Sequence, residues 1–303
     1  MDWSNKNVLV TGAGGFIGSH LTERLTKLGA RTRALVRYNS RDSRGWLENS
    51  PQQAEVKFFS GDIRDAAYVR EAMEGVDVVF HLAALIAIPY SYHAPASYVE
   101  TNITGTLNVL QAARELATPR VLVTSTSEVY GTALEVPIRE SHPLQGQSPY
   151  AATKIAADKL TESYHLSFAL PVVTVRPFNT FGPRQSARAV IPAIISQVMA
   201  GRELKLGNLT PTRDLNYVAN TVDGYLAAAV SEKAVGQVIN FGSGREISIG
   251  ELALLVMRVI GREVTIQQDT QRLRPEKSEV QRLLADNSRA HDLLGWQPQV
   301  ALE

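Results

Sequence analysis

Short apolar runs alternate with amphipathic stretches through the first part of the chain. Buried-strand patterns occupy residues 7–11, 31–36, 56–59, 77–84, 120–124 and 171–177. Helical periodicity occupies residues 19–28, 66–73, 95–116 and 148–168. Strands that alternate with helices favour parallel pairing through right-handed crossovers. We therefore expect an α/β fold, a Rossmann-type doubly wound parallel sheet.

After residue 178 the alternation gives way to loops rich in Pro, Gly and Arg, over residues 179–188 and 207–216. Shorter helices are predicted at residues 190–200, 218–229, 249–260 and 288–294, and shorter strands at 204–206, 238–241 and 264–267. We expect residues 1–178 to form a dinucleotide-binding core, with further core segments returning around 215–242. Residues 179–303 should form mainly a smaller, irregular α/β lobe that binds the substrate over the carboxyl ends of the strands.

The composition excludes several classes of protein. A net charge of +1 over 303 residues gives no nucleic-acid footprint, and no apolar run has the length of a membrane span. The absence of cysteine excludes disulfides and a Cys nucleophile, and fits a reducing compartment. No signal peptide precedes the first strand, so we expect a cytoplasmic protein without membrane or nucleic-acid partners. Residues 298–303 lead towards another helix, so we also expect the natural chain to continue.

A glycine-rich turn joins the first strand to the first helix. Gly12, Gly15 and Gly18 are spaced G-x-x-G-x-x-G, and Phe16 and Ile17 begin the helix. Glycines allow the backbone to approach a pyrophosphate closely, and a helix N-terminus offers free N–H groups and a favourable dipole. A turn that only needs positive φ would not require three glycines at this spacing. The turn therefore predicts a dinucleotide site.

The end of the second strand bears on the choice between NAD and NADP. NAD sites usually have an acidic residue there, which binds the ribose 2′-hydroxyl. This chain has Arg37 and Arg41 instead, which either bind a 2′-phosphate or are solvated loop residues. Arg37 is thus a candidate cofactor contact, and the residues leave both NAD and NADP open.

Further cofactor contacts are predicted at the ends of the later strands. Asp62 would accept a hydrogen bond from the adenine amino group while Ile63 packs on the ring, or Asp62 only turns the chain into the next helix. His81 is interpreted as a packed histidine, because no other His lies near it at metal-ligand spacing. The remaining candidates at strand ends are Leu82, Ala83, Ala84, Thr124 and Pro177.

The candidate catalytic residues follow the fifth strand and begin the long helix after it. Thr126, Ser127 and Glu128 come after the strand, and Tyr150 and Lys154 lie four residues apart at the start of the helix. Positions i and i+4 share one helix face, so the phenol and the ammonium point at the same place. We expect Lys154 to lower the pKa of Tyr150, which then acts as a general base.

Taken together, these motifs resemble the extended short-chain dehydrogenase/reductase family over nearly the whole chain. Its nucleotide-sugar enzymes have segments similar to residues 176–184, 213–218 and 274–275. The resemblance implies a bound, recycled NAD, and it implies that Asn179, Arg184, Arg213 and Arg274 contact the sugar nucleotide. Arginine forks do match phosphate oxygens, although each arginine alone is also compatible with a surface charge.

The motif at residues 126–128 distinguishes activities within this family. By resemblance, sugar 4,6-dehydratases usually have Thr-Asp-Glu, glucuronate decarboxylases have Thr-Ser-Glu, and simple 4-epimerases lack the Glu. Residues 81–92, 125–132, 144–150 and 177–192 are more similar to the dehydratases of the legionaminic-acid pathway, which act on nucleotide-linked N-acetylglucosamine. The resemblance therefore favours a 4,6-dehydratase, with a decarboxylase, an epimerase or a non-catalytic dinucleotide sensor as alternatives.

The mechanism that the resemblance implies gives each residue a role. Thr126 would hydrogen-bond the substrate O4 and Tyr150, whose phenolate takes the O4 proton while hydride leaves C4 for the nicotinamide. Lys154 would hold the ribose hydroxyls. Glu128 would remove the C5 proton of the resulting ketone before water leaves from C6 and hydride returns there.

Ser127 is the weak point of this mechanism, because a serine hydroxyl is a poor acid for a departing hydroxide. Either protonated Glu128 or a water held by Ser127 would have to assist, whereas a decarboxylase needs no such acid. The alternative role of Glu128 is to cap a loop or to pair with Arg139. The helices over residues 95–116 and 148–168 predict a homodimer with a four-helix interface, or simply pack on the sheet.

Overall fold

The alternation of strands and helices follows the prediction through residue 177. The computed structural model describes residues 2–201, 203–270, 273 and 275–303. Its strands are β1 (Asn7–Thr11), β2 (Arg31–Arg37), β3 (Lys57–Gly61), β4 (Val78–His81), β5 (Arg120–Thr124), β6 (Val172–Pro177), β7 (Asn179–Phe181), β8 (Leu204–Leu206), β9 (Thr212–Tyr217), β10 (Val238–Phe241), β11 (Glu246–Ser248) and β12 (Ile266–Gln268). Its α-helices are α1 (Phe16–Lys27), α2 (Ala66–Met73), α3 (Ile88–Ser91), α4 (Pro95–Tyr98), α5 (Gly105–Glu115), α6 (Pro149–Phe168), α7 (Val190–Met199), α8 (Val218–Val230), α9 (Ile249–Ile260) and α10 (Ser288–Leu294).

A parallel sheet of seven strands lies at the centre of the described chain, in the order β10-β6-β5-β4-β1-β2-β3. The strand order reverses between β1 and β4, where Thr11 lies opposite His81. Open α/β sheets bind ligands in the crevice at such a reversal, outside the carboxyl ends of the strands. The Rossmann-type doubly wound fold predicted from the sequence is therefore confirmed.

Helices cover both faces of this sheet, which explains why its strands are nearly continuous apolar runs. Val10 belongs to a cluster with Leu21 of α1 and Tyr225 of α8 on one face. Leu9 belongs to a cluster with Val109 of α5 on the other face. Successive residues of β1 thus serve opposite faces, as the pleat of a strand requires.

Two stretches predicted as loops contain strands. β7 and the first part of β9 lie within residues 179–188 and 207–216, and with β11 they form a three-stranded sheet in the order β11-β9-β7. β7 pairs in parallel with β9, and β11 pairs with it antiparallel. The sequence did not predict these strands because they are short and polar, and they depend on pairing with remote segments.

The long helix predicted over residues 95–116 is present from Pro95 to Glu115, but it is not α-helical throughout. Turns of π-helix over Val99–Thr104 separate α4 from α5. The Asn102 side chain lies in these turns and binds both backbone groups of Leu85, accepting from the amide at 2.8 Å and donating to the carbonyl at 3.0 Å. Single-turn π-bulges often occur at functional sites.

Segments from the second part of the sequence complete the central sheet. β10 pairs with β6 at the edge of that sheet, and α8 packs against it. The division of the chain at residue 178 into a core and a substrate lobe stays a prediction. No helix in the described part of the chain is long and apolar enough to cross a membrane.

Candidate active site

The glycine-rich turn lies at the carboxyl end of β1. A side chain at each of its glycines would meet different surroundings. Gly12 has a φ of +69°, and a Cβ there would lie 2.8 Å from the amide nitrogen of Ala83. A Cβ on Gly18 would collide with the Gly12 carbonyl oxygen. A Cβ on Gly15 would meet only that same oxygen, at 3.2 Å, and would otherwise enter open space before α1. The turn therefore leaves a cradle at the helix N-terminus that fits a pyrophosphate.

The predicted contacts at the end of β4 lie beside this turn. The Thr11 hydroxyl accepts hydrogen bonds from the amides of Leu82 and Ala83, both at 3.1 Å. This holds the chain after β4 against Gly12, and Ala84 is the next residue along. The predicted contacts Phe16 and Ile17 are the first residues of α1 and pack partly buried on the core beneath the turn.

His81 is a buried structural residue in this arrangement. Its Nε2 lies 3.1 Å from the Thr106 hydroxyl, which donates to the Asn102 carbonyl and therefore accepts from the ring. Nδ1 then accepts from the Thr11 hydroxyl at 2.8 Å. Burial lowers the pKa of His81 to about 3, with a further contribution from the Lys154 charge. The neutral imidazole thus joins β4 to β1 and α5, as a packed histidine.

The predicted adenine contacts lie beside a cavity of about 390 Å³. Both Asp62 oxygens accept from the Arg64 guanidinium, at 3.0 and 2.7 Å. Hydrogen bonding from Arg64 lowers the pKa of Asp62 against the effect of partial burial, and the Arg37 charge lowers it further. Ile63 is buried against Gly105 of α5. The sequence interpretation missed Arg64, with which an adenine amino group would have to share the Asp62 oxygens.

Local sequence determines where α6 begins, the helix that carries two of the predicted catalytic residues. The Ser148 side chain caps it by accepting from the Ala151 amide at 3.1 Å, and Pro149 takes the first helical position. Tyr150 and Lys154 consequently lie in its first two turns, and both are buried. The Tyr150 ring packs edge-on against Tyr98 of α4, with centroids 6.3 Å apart.

The structure contradicts the prediction that Lys154 lowers the pKa of Tyr150. The Lys154 ammonium donates to the Thr124 carbonyl oxygen at 2.5 Å. Burial raises the pKa of Tyr150, the hydrogen bond with Thr126 lowers it, and the Glu128 carboxylate raises it again. The prediction was wrong because it used helix spacing alone, whereas the desolvation of the phenol dominates its pKa here.

Residues 126–128 form the start of a short 3₁₀ turn directly after β5. The Thr126 hydroxyl caps this turn by accepting from the Glu128 amide at 3.2 Å, and it also contacts the Tyr150 phenol. Arg139 forms its ion pair with Asp286, at 3.1 Å, and not with Glu128. Within the described residues the Glu128 carboxylate has no ion pair, and it is partly exposed. The structure thus brings Thr126, Glu128 and Tyr150 together.

The ends of β5 and β6 carry the last two predicted cofactor contacts. The Thr124 hydroxyl accepts from the Tyr225 phenol of α8 at 2.8 Å, while its carbonyl accepts from Lys154. Pro177 ends β6 and lies opposite Phe241 of β10. Tyr225 is fully buried and comes from a segment about 100 residues later, as the separation of 101 positions from Thr124 shows. Sequence spacing held no signal for this contact.

The predicted substrate residues lie on different elements. Asn179 begins β7, and its side-chain oxygen is buried without a hydrogen-bond partner in the described part of the chain. Arg213 lies on β9, where its guanidinium donates to the Thr212 carbonyl at 2.9 Å and pairs with Glu279 at 3.4 Å. Arg274 lies outside the described residues. An orphaned polar atom at Asn179 fits a ligand contact at the start of β7.

Arg184 lies beside α1, the helix that follows the glycine-rich turn. Its guanidinium donates to the Ser19 hydroxyl at 3.1 Å and to Glu23 at 2.9 Å, both on α1. Burial alone would raise the pKa of Glu23, but the bonds from Arg184 and Ser50 outweigh it and lower that pKa. Contact with a sugar nucleotide would therefore compete with this ion pair.

Among the described residues, no group of His, Cys, Asp or Glu has the arrangement of a metal site. A mostly apolar cavity of about 540 Å³ lies between α7 and α9, and Arg184 is the one predicted site residue on its lining. The residues of the catalytic turn and of α6 do not border it.

These observations give an enzyme-like site on a dinucleotide-binding fold. A family model described as GDP-mannose 4,6 dehydratase matches residues 9–303. The chain belongs to this family. Membership confirms the resemblance to the extended short-chain dehydrogenase/reductases.

Relatives in this family differ in the reaction that their names state. A UDP-glucose 4-epimerase of Mycolicibacterium smegmatis is 35% identical, over 97% of this chain and 94% of its own length. UDP-glucuronic acid decarboxylase 6 of Arabidopsis thaliana is 31% identical, over 99% and 86%. The structure of DesIV, a dTDP-glucose 4,6-dehydratase of Streptomyces venezuelae with NAD bound, has a TM-score of 0.88 and 30% identity, over 98% of this chain and 93% of that chain. The chain is thus an enzyme of a family of nucleotide-sugar dehydratases, epimerases and decarboxylases.

Proposed function

We propose that this protein is a nucleotide-sugar 4,6-dehydratase that converts a nucleotide-linked N-acetylglucosamine, or a similar nucleotide-linked hexose, to the 4-keto-6-deoxy sugar. The observation that carries the proposal is the Glu128 carboxylate, which lies beside Thr126 and Tyr150 and has no ion pair within the described residues. Epimerisation at C4 needs no second base, whereas elimination across C5 and C6 does.

We propose NAD as the cofactor, held on the cradle before α1 and beside the ends of β4 and β5. When bound, NAD accepts the hydride from C4 and returns it to C6. Lys154 would bind the ribose hydroxyls from the end of β5. Arg37 at the end of β2 is exposed and keeps NADP open, because a guanidinium there suits a 2′-phosphate. Named relatives such as the dehydratase DesIV support NAD.

The residues of the catalytic turn would divide the proton transfers between them. Tyr150 takes the O4 proton as a phenolate, which burial disfavours and a hydrogen bond from Thr126 stabilises. Thr126 would thus hold both the phenolate and the O4 hydroxyl. Glu128 takes the C5 proton, and it returns that proton to the departing C6 hydroxyl, which leaves as water. Ser127 is buried next to Glu128, where its hydroxyl would position the leaving group but is too weak an acid to protonate it. The cycle ends when hydride has returned to C6 and the proton that Tyr150 took from O4 is delivered to C5, so that C4 remains a ketone and no cofactor is consumed.

Ser127 is also the observation that favours a second candidate, a nucleotide-linked glucuronate decarboxylase. Carbon dioxide leaves without a proton donor, so a hydroxyl in place of a carboxylic acid does not slow that reaction. The substrate would then need a carboxylate at C6, which Arg184 or Arg213 is suited to bind as a cation.

Product analysis by NMR separates these reactions. Incubation with GDP-N-acetylglucosamine, UDP-N-acetylglucosamine and UDP-glucuronate is expected to give a 4-keto-6-deoxy sugar from one of the two N-acetylglucosamine substrates. Carbon dioxide with a pentose product from UDP-glucuronate would refute the dehydratase. A C4 epimer that retains its C6 hydroxyl would refute it equally.

We further propose a homodimer that pairs through α5 and α6. Leu107 of α5 and Leu166 of α6 are exposed by 37% and 76%, which leaves apolar area on the outside of both helices. Sedimentation is expected to show a dimer that Leu166→Lys weakens, while Leu134→Lys at an exposed loop position leaves it intact. A wild-type protein that sediments as a monomer at micromolar concentration contradicts the proposal.

A further inference from the structure

A third ionisable residue shares the face of α6 that carries Tyr150 and Lys154. Asp158 follows Lys154 by four positions, as Lys154 follows Tyr150. Residues at this spacing lie one above the other on a helix. The three are 6%, 3% and 5% exposed, so all point away from solvent. Buried carboxylates are rare unless they are paired, and Asp158 therefore requires an explanation.

The two oxygens of Asp158 are treated differently by their surroundings. Oδ2 accepts from the Ser125 hydroxyl at 2.8 Å and from two nitrogens of Arg176, at 3.1 and 2.9 Å. Oδ1 is equally buried but has no hydrogen-bond partner within the described residues. A carboxylate that served only to pair with Arg176 would use both oxygens for the two-pronged guanidinium.

Ser125 connects Asp158 to the lysine. It directly follows Thr124, whose carbonyl oxygen receives the Lys154 ammonium. Its own amide is held by the Val175 carbonyl of the neighbouring strand at 2.7 Å, so the end of β5 is fixed. Lys154 and Asp158 are thereby anchored one residue apart on the same strand end.

The charges at this place also need the carboxylate. Lys154 and Arg176 are two buried cations, and Asp158 contributes one negative charge that pairs with Arg176 and acts on Lys154. Arg176 turns its remaining nitrogen to the Tyr130 hydroxyl at 2.9 Å, and that hydroxyl donates to Asn240 at 2.7 Å. Without Asp158 the two cations would be left without a buried counter-charge, which is costly in a low dielectric.

We propose that Asp158 is a positioning residue of this enzyme, whose buried carboxylate keeps Lys154 charged at the end of β5. The inference rests on the proposed role of Lys154 and adds a residue that the catalytic motif does not include. Arg176 and Ser125 would orient the carboxylate through Oδ2, and the field of the unbonded Oδ1 would act on the lysine.

The acid–base behaviour of Lys154 agrees with this arrangement. Burial lowers the pKa of Lys154 to about 8, and the Asp158 carboxylate opposes that effect. Removal of the carboxylate must therefore lower this pKa further and remove the charge as the pH rises towards neutrality. The other titratable or charged groups that surround Lys154 and Tyr150 are His81, Tyr98, Glu128, Tyr130, Arg176 and Tyr225.

The pKa of Lys154 can be measured directly in the protein as it exists, by NMR of lysine labelled with ¹³C at Cε. The resonance is identified by its loss in Lys154→Arg. In Asp158→Asn the pKa of Lys154 is expected to fall by about 1 or more, which is the usual effect of losing one close opposite charge. The pH above which turnover falls should then be lower by a similar amount.

Three variants distinguish this role from a merely structural one. Asp158→Glu keeps the charge, and Ser125→Ala removes a hydrogen bond to Oδ2 without changing the charge, so both should leave the pKa of Lys154 nearly unchanged. If Asp158→Asn fails to fold because Arg176 is left unpaired, Asp158→Asn with Arg176→Gln takes its place and is compared with Arg176→Gln alone, because the loss of the Arg176 charge by itself raises the pKa of Lys154. The pKa of Lys154 should be lower in the double variant than in Arg176→Gln. An unchanged pKa in Asp158→Asn, or equal pKa values in the double variant and Arg176→Gln, overturns the proposal. An equal fall in Ser125→Ala overturns it too. The titration needs no turnover, so a protein without dehydratase activity would refute the proposed function and still test this one.

Discussion

Tyr150→Phe is expected to lower turnover by about 10²- to 10⁴-fold, the usual contribution of a general acid–base group. The phenylalanine keeps the edge-on contact with Tyr98 and the burial of the ring, so the fold should persist. Only the hydroxyl that takes the O4 proton is lost. Steady-state kinetics on the substrate identified by NMR would measure the loss, and dinucleotide binding should stay near the wild-type level.

Tyr98→Phe is the matched control for this substitution. Tyr98 is also a buried tyrosine, and its ring packs against that of Tyr150. Its hydroxyl, however, donates to the Ala87 carbonyl at 2.6 Å. Its removal should cost about 1 kcal/mol of unfolding free energy and change turnover only a few-fold. A Tyr150→Phe variant that keeps a tenth of the wild-type turnover, or an equal loss in Tyr98→Phe, would show that another group takes the proton.

Glu128→Gln is expected to separate oxidation from elimination. The amide keeps the shape of the side chain but cannot remove the C5 proton, so elimination should slow by about 10²- to 10⁴-fold. The 4-keto sugar that retains its C6 hydroxyl should then be detectable by NMR. Deuterium from heavy water should no longer enter C5 at the wild-type rate.

Glu135→Gln serves as the control, because Glu135 is an exposed carboxylate on the loop that follows the same turn. It should leave both the product and the deuterium exchange unchanged. Exchange at C5 that persists in Glu128→Gln would show that Glu128 is not the base. In that case the Glu128 carboxylate would have to serve substrate binding instead.

The sequence predicted those parts of the site that depend on local spacing. The glycine-rich turn and the pair Tyr150 and Lys154 each lie within one strand–turn–helix or helix segment. Such features follow from backbone geometry that neighbouring residues set by themselves. The sequence also contains a signal for Asp158, because this residue continues the four-residue spacing of Tyr150 and Lys154, but the known motif ends at the lysine.

Other parts depended on contacts between remote segments. β7 and β9 were predicted as loops because their pairing partners lie far away in the sequence. Tyr225 of α8 contacts Thr124 at the end of β5, and Arg184 pairs with Glu23 of α1. Neither residue type nor spacing indicates such neighbours, because they meet only once the sheet has assembled.

Tyr150 shows which properties of the site follow from local sequence and which follow from tertiary packing. By itself the sequence determined the doubly wound fold and the positions of the residues that we propose to hold the dinucleotide, because hydrophobic periodicity and short motifs act locally. Only the tertiary structure decided the pKa shifts of Tyr150 and Lys154. Burial raises the pKa of Tyr150 and lowers that of Lys154, and the ammonium turns to the Thr124 carbonyl. Desolvation is a property of everything packed around a group, so no stretch of sequence contains it.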